Sequence, residues 1–326
     1  MRRLVKNLNH YFSEKYVSNF RFRPYIQTIL IHKIYKNRDE LIPENGAFLE
    51  GVDISQLEAF VSYFVKRGVE FINETDILED KLDPNKQYIY LTFDDGYYNN
   101  FRCLDILEKY KVKATFMIST NHVKEQKAFW WDILFREIKL NKGHKTDAEI
   151  NNTIHSKNLM LYRMKWQDQE DFIKDNFGLR SLDPSSDVDR PMTESELRQF
   201  ASHPFVTLGN HTDNHLNVTL YDADELISSI KSAENFLNSV TSQQICSVSY
   251  PHGLYNDACV NIISKLGYRI GVTVNSGRNN VSELSDTHAL MRLNRVVLSG
   301  FSDIEQQCRN IHIGFSLYSH LNSLKW

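Results

Sequence analysis

The sequence predicts an α/β protein built on parallel strands, and three observations carry that expectation. Short apolar runs alternate with longer amphipathic segments from about residue 25 onward, the pattern of strands packed against helices. Three chemically loaded segments each follow an apolar run directly, where parallel α/β barrels gather their catalytic groups. Across 326 residues the hydrophobic share is 41% and the charged share 24%, enough apolar material for a full core and too much for a disordered chain. No internal repeat and no Gly- or Pro-rich linker divides the chain, so residues 1–326 read as one domain.

The elements follow in order. QTILI (27–31) predicts a buried strand ending at His32. Residues 54–68 predict a helix, because Leu57, Phe60, Val61, Phe64 and Val65 share one face. YIYLTF (88–93) predicts a strand that feeds into Asp94, Asp95 and Gly96, followed by a helix over 100–110 and a strand over 114–118. The rhythm breaks over 121–190, where both flanks have helical periodicity and no clear strand occurs. This stretch reads as a largely helical insertion, expected beside the mouth of the barrel because it leaves from the strand before the histidine segment. Phe129, Trp130 and Trp131 within it read as core more readily than as platforms for sugar rings. The alternation resumes with a helix over 193–201, a strand over 205–208, a helix over 223–240, a strand over 245–249 and a helix over 257–266. Strands over 268–273 and 295–298 complete the count.

Composition excludes several function classes. A formal net charge of -3 supplies no electrostatic reason to expect a nucleic-acid partner. No run of about eighteen apolar residues occurs, so no transmembrane segment is expected. The basic start MRRLVKNLNHYF never reaches the apolar run of a signal peptide, which makes the cytoplasm the expected address. Cys103, Cys246, Cys259 and Cys308 are scattered and read as reduced, mostly buried thiols.

Three motifs carry chemistry. In TFDDG, Asp94 and Asp95 leave a hydrophobic strand side by side, a costly placement unless their charge is used. A metal can take one while the other acts as a base; a helix N-cap is the structural alternative. In HTDNH, His211 and His215 stand at i and i+4 and can point the same way from one helical turn. Two imidazoles and a carboxylate make a three-ligand site with a place for water, which suits catalytic zinc. In SYPHG, Pro251 and Gly253 dictate a turn, whose functional use would be a backbone N–H offered to an oxyanion.

TFDDG, then HTxxH, then YPxG resembles the polysaccharide deacetylase family, the carbohydrate esterases with the NodB homology domain, over roughly residues 28–297. The resemblance implies a distorted (β/α) barrel of about seven strands. It implies Asp95, His211 and His215 as ligands of a divalent transition metal, zinc ahead of nickel, cobalt or manganese. It implies Asp94 as general base and the His252 N–H as an oxyanion donor. Two positions depart from the pattern: Ser249 replaces an arginine common in the family, and His252 replaces an aromatic residue. No late Leu-x-His motif supplies an acid, and His312 in NIHIGF fits poorly. A permuted subgroup that includes poly-N-acetylglucosamine deacetylases places its histidine strand first. ILIHKI resembles that arrangement, which makes His32 the candidate acid, with His252 as rival, and Arg295 resembles a late arginine of the subgroup that orients Asp94.

The expected activity is hydrolysis of N-acetyl groups from acetamido sugars. The expected partner is an acetylated amino-sugar glycan or its lipid- or nucleotide-linked precursor. A deformylase or other amide hydrolase on the same fold, and a catalytically silent carbohydrate-binding protein, are the alternatives.

Overall fold

The computed structural model describes residues 24–41, 51–79, 81–141, 143 and 146–313. The basic N-terminal stretch lies outside the described residues. Ten strands occur among those described: β1 (Tyr25–Ile31), β2 (Lys33–Tyr35), β3 (Gly51–Asp53), β4 (Glu70–Ile72), β5 (Gln87–Phe93), β6 (Ala114–Ile118), β7 (Val206–Asn210), β8 (Ser247–Ser249), β9 (Ile270–Val272) and β10 (Arg295–Val297). Seven run parallel in the order β10-β1-β5-β6-β7-β8-β9. The ends of that path nearly meet. A parallel bridge joins Val272 to Leu293, and the Thr273 N–H donates to the Leu293 carbonyl at 2.9 Å. The result is the expected distorted α/β barrel.

Its seven strands correspond to the seven apolar runs, with ends shifted by up to two residues. The small strands β2, β3 and β4 were not expected, since three residues are too few to show alternation. β4 pairs with the first half of β5 through Glu70–Tyr88 and Ile72–Tyr90, and β6 takes over the same edge only from Thr92.

The barrel strands bury both faces, as parallel strands between layers must, except at β10, where Val296 is half-buried and Val297 exposed. Ile29, Ile31, Ile89, Leu91, Phe93, Phe116, Ile118, Leu208 and Val248 point outward into one core. There they meet Leu57, Phe60 and Phe64 of the Ile54–Val65 helix, Phe200 of Glu194–Ala201, and Ile230 and Leu237 of Ala223–Val240. Asp53, Thr193 and Asp222 start those three helices with reciprocal capping boxes. The alternate residues fill the barrel and are smaller or more polar: Thr28, Tyr90, Thr92, Thr115, Met117, Gly209, Ser247 and Ser249. Crowding there is tight, since a Cβ on Gly209 would lie 2.2 Å from the Met117 sulfur.

Between β6 and the Glu194–Ala201 helix the chain forms helices Thr120–Glu125, Trp130–Leu140, Asp147–Leu161 and Trp166–Phe177. Phe129, Leu134, Ile150, Leu161 and Ile173 give them a separate small core. No helix among the described residues is long and apolar enough to cross a membrane.

At the end of the barrel opposite the catalytic motifs, Glu74 is 1% exposed. It accepts hydrogen bonds from the Thr115 and Ser247 hydroxyls at 2.8 and 2.7 Å. Burial pushes its carboxyl above the ordinary range, and those hydroxyls only partly oppose the shift. The folded chain therefore holds this proton to higher pH than the unfolded chain does. The resulting stability is fully present below the unfolded pKa of about 4.3 and is lost as pH rises through the folded value. Glu74→Gln is expected to flatten that decline. Urea midpoints taken across the mildly acidic to neutral range test this, and a variant profile parallel to wild type counts against it.

Candidate active site

Strand phase sets the site. Residues 88, 90 and 92 of β5 face inward, so Asp94, two further on, also turns into the mouth. Its N–H donates to the Ile31 carbonyl at 3.0 Å and extends the β1–β5 ladder by one step. By the same count His32 follows Thr28 and Leu30, and Ser249 follows Ser247. Arg295 pairs in register with inward Thr28. After Asp94 the chain turns sharply: Asp95 has φ 79° and Gly96 φ 90°, a left-handed stretch that glycine tolerates and aspartate does not favour.

His211 and His215 do meet, with ring centroids 4.7 Å apart, but not on the expected helical turn. Residues 211–217 form a non-helical loop. Thr212 and His215 are left-handed, with φ 62° and 52°. Side chains fix this path. Asn210 Oδ1 accepts from the Thr212 N–H at 2.7 Å, and Thr212 Oγ1 accepts from the Leu216 N–H at 2.8 Å. Side-chain acceptors thus stand in for the helical carbonyls.

One donor atom from each of Asp95, His211 and His215 lies within 4.8 Å of the others. The Nε2 atoms of His211 and His215 are 3.5 and 3.4 Å from Asp95 Oδ1. Asp95 is 1% exposed, and neither of its oxygens has a hydrogen-bond partner. A bare buried carboxylate is expensive, and a cation among these donors offsets that cost. His211 Nδ1 lies 2.9 Å from the Ser249 carbonyl, so that nitrogen carries the proton and Nε2 faces Asp95 with its lone pair. Burial, then the His252 and His211 rings, holds His215 well below the ordinary imidazole range and so neutral. Two neutral-capable imidazoles and one carboxylate fit a tetrahedral cation with an open fourth place.

Asp94 has a different setting. Arg295 grips it with both prongs, Nη1 to Oδ1 and Nη2 to Oδ2, each at 2.8 Å. The Ser249 hydroxyl donates to Oδ2 at 2.8 Å and accepts from Arg295 Nη2 at 2.9 Å. Burial alone would raise the Asp94 pKa; the Arg295 charge, then His211, overrides it and holds the carboxyl well below its usual range. Sequence comparison marked Ser249 only as a departure. In the fold it supports Asp94 with its hydroxyl and His211 with its carbonyl.

Asp94, Asp95, His211, His215 and Arg295 line a cleft of about 620 Å³ that also includes His32, Lys33, Tyr97, Trp131, Tyr162 and His252. His252 is left-handed at φ 59°, and the turn's own bonds use the N–H groups of Gly253 and Leu254. Its ring packs 4.4 Å from both Tyr162 and His215. Burial, with His211 and His32 nearby, pushes it down to about 3. His312 is elsewhere, on the Ile304–Ile313 helix against Tyr63 and Phe64.

One network was invisible in the sequence. Lys33 pairs with Asp132, both 5% exposed. The Tyr97 hydroxyl donates to Asp132 Oδ2 at 2.6 Å and accepts from Trp131 Nε1 at 2.9 Å. Trp131 in turn packs 4.7 Å from the His215 ring. Phe129, Trp130 and Trp131 are therefore buried as expected, yet Trp131 also walls the site. Asp132→Leu is expected to cost about 3–5 kcal/mol by stranding the Lys33 charge. Adding Lys33→Met should recover much of that loss. Denaturant midpoints of the single and double variants check it, and a double variant no more stable than the single refutes the pairing.

Known proteins agree with this architecture. The sequence profile described as polysaccharide deacetylase matches residues 81–271. YxkH of Bacillus subtilis (strain 168) is 20% identical over 227 residues, which are 68% of this chain and 58% of YxkH. The chain thus spans less than two thirds of that curated relative. Among solved structures, the Streptococcus pyogenes deacetylase PplD in complex with acetate superposes with a TM-score of 0.59 at 18% identity. That match covers 89% of this chain and 99% of PplD. IcaB from Ammonifex degensii gives 0.57 at 12% identity, covering 89% and 97%. At such identities the superpositions speak for the fold, whereas the profile spans more than half of the chain. By that match, this chain belongs to the polysaccharide deacetylase family.

Proposed function

We propose that the chain is a cation-dependent N-deacetylase of acetamido sugars, with Asp95, His211 and His215 as the metal ligands and Asp94 as the base. The observation that carries this is the buried Asp95 carboxylate, bare of hydrogen bonds and faced by two imidazole Nε2 atoms, beside a second carboxylate held ionised by Arg295. Zinc suits this donor set best. When bound, the cation would acidify a water and polarise the acetamide carbonyl. Asp94 accepts the proton of the attacking water, and Arg295 and Ser249 keep its carboxylate aimed into the cleft. The C–N bond then breaks, leaving acetate and a free amine on the sugar. An amine departs only when protonated. His32, inward at the end of β1 and lining the cleft, is the donor we assign, because His252 is wedged against Tyr162 and His215. The His252 backbone N–H is assigned to the oxyanion. We read residues 121–190 as an insertion in a single deacetylase domain. The four free cysteines suit a cytoplasmic address.

Asp94→Asn should retain one bound zinc per chain by elemental analysis while turnover falls about a hundredfold or more. Loss of the metal with this change makes Asp94 a ligand instead. His32→Ala should slow acetamides severely and spare activated esters, whose leaving groups need little protonation. Equal losses on both substrates remove His32 from the acid role.

A further inference from the structure

The mouth of the cleft is built differently from its floor. Asp94, Asp95, His211 and His215 are buried at the bottom, whereas Leu159, Leu254, Val274 and Val297 line the same cleft with 37–50% of their surface exposed. Those are four of the seven large hydrophobic residues that are exposed among the described residues. Singly scattered apolar residues need no explanation, but a cluster around one opening marks a binding surface. They come from separate parts of the chain: the Asp147–Leu161 helix, the turn after β8, the residues after β9, and β10. The turn packs hard against Val274, since a Cβ on Gly253 would lie 2.0 Å from Val274 Cγ2. Leu254 and Val274 are thereby held on one side of the mouth.

Of the aromatic residues that line the cleft, Tyr97, Trp131 and Tyr250 are buried and Tyr162 is half-buried, so the exposed apolar surface of the rim suits an aliphatic chain better than a polymer of sugars. Sugar faces stack on aromatic rings, and these four residues are aliphatic. The cleft also exceeds what one amino-sugar ring fills, since about 300 Å³ already suits a small ligand. Arg163 is exposed on the same lining and makes no ion pair among the described residues. The acids that line the cleft, Asp94 and Asp95, are both on the floor. An anionic group at the rim would therefore meet a cation, with the cleft's own carboxylates confined to the floor.

We propose that the site takes an acetamido sugar carried on a lipid. The sugar reaches the floor, an anionic phosphate-type linkage meets Arg163, and the aliphatic chain lies over Leu159, Leu254, Val274 and Val297. Water cleaves the acetamide C–N bond to give acetate and the free amine, and the bond to the lipid is untouched. The reaction rests on the deacetylase reading; the aliphatic rim does not.

Binding to the zinc-loaded Asp94→Asn chain separates the two. Its affinity is measured for the methyl and the farnesyl esters of N-acetylglucosaminyl phosphate, both below the micelle concentration. The farnesyl ester is expected to bind at least about tenfold tighter. Leu254→Ser with Val274→Ser is expected to erase that ratio, and Arg163→Gln to weaken both esters by a similar factor. Equal affinity for the two esters overturns the proposal. So does a gain that appears only on anionic vesicles, which would mean docking to a membrane surface, or tighter binding of a chito-oligosaccharide than of the farnesyl ester. Acetate release from the methyl ester by the wild-type chain tests the deacetylase reading separately.

Discussion

The buried fork between Arg295 and Asp94 is the interaction on which the site depends. Both residues are almost wholly excluded from water, so each would be prohibitively costly alone. Every prong of Arg295 is used: Nε donates to the Thr273 carbonyl at 2.6 Å, and Nη1 and Nη2 go to Asp94, Thr92 and Ser249. The pair therefore ties β10 to β5 and to the residues just after β9, across the gap where the barrel fails to close with a full ladder. Lysine could not replace this arginine, because a point charge cannot hold two carboxylate oxygens and a strand carbonyl in fixed directions. The fork also sets the chemistry of Asp94. A carboxylate so strongly stabilised stays ionised and is a weak base, suited to take a proton only from a water that has already been acidified.

Backbone strain is concentrated in the same place. Among the described residues six that are not glycine have positive φ; Asp95, His215 and His252 line the cleft, and Thr212 lies in the loop between His211 and His215. Each costs on the order of a kilocalorie per mole or more. The barrel can sustain them because the flanking strands are over-determined: the Ser119 N–H holds the Asp95 carbonyl at 3.2 Å, and the Thr120 and Asn121 N–H groups hold the carbonyls of Thr212 and Asp213. Stability from the ladder is in this way converted into fixed donor directions at the mouth.

Much of this was legible in the sequence, for physical reasons that differ from element to element. The barrel strands were readable because apolar runs of four to six residues stand between amphipathic helices, and Ala114–Ile118 was found to the residue. Asp94, His211 and Arg295 turn inward by strand phase, a local property, whereas Asp95 and His215 are brought to them by the left-handed turns that follow β5 and β7. The helical turn expected for His211 and His215 was wrong because Asn210 and Thr212 compete as acceptors, which i, i+4 spacing does not reveal. Lys33 and Asp132 are 99 positions apart, and no local pattern pairs them. Ser249 looked like a loss of arginine, when the guanidinium had arrived instead from β10.

The helical segment between β6 and β7 is where the sequence understated the structure most. Such an excursion is easily taken as a lid or a specificity module, free to vary without touching the reaction centre. Its first long helix contradicts that separation. Trp131 packs on His215, and Asp132 neutralises Lys33, the residue next to His32. Tyr97, two residues past Asp95, joins these two through its hydroxyl. Removing the Trp130–Leu140 helix would unpair a buried lysine and uncover a histidine whose direction the site requires. The Asp147–Leu161 helix, further out, contributes Leu159 to the rim and can change at lower cost. The segment thus has an inner layer packed against the floor of the cleft and an outer layer that reaches its rim.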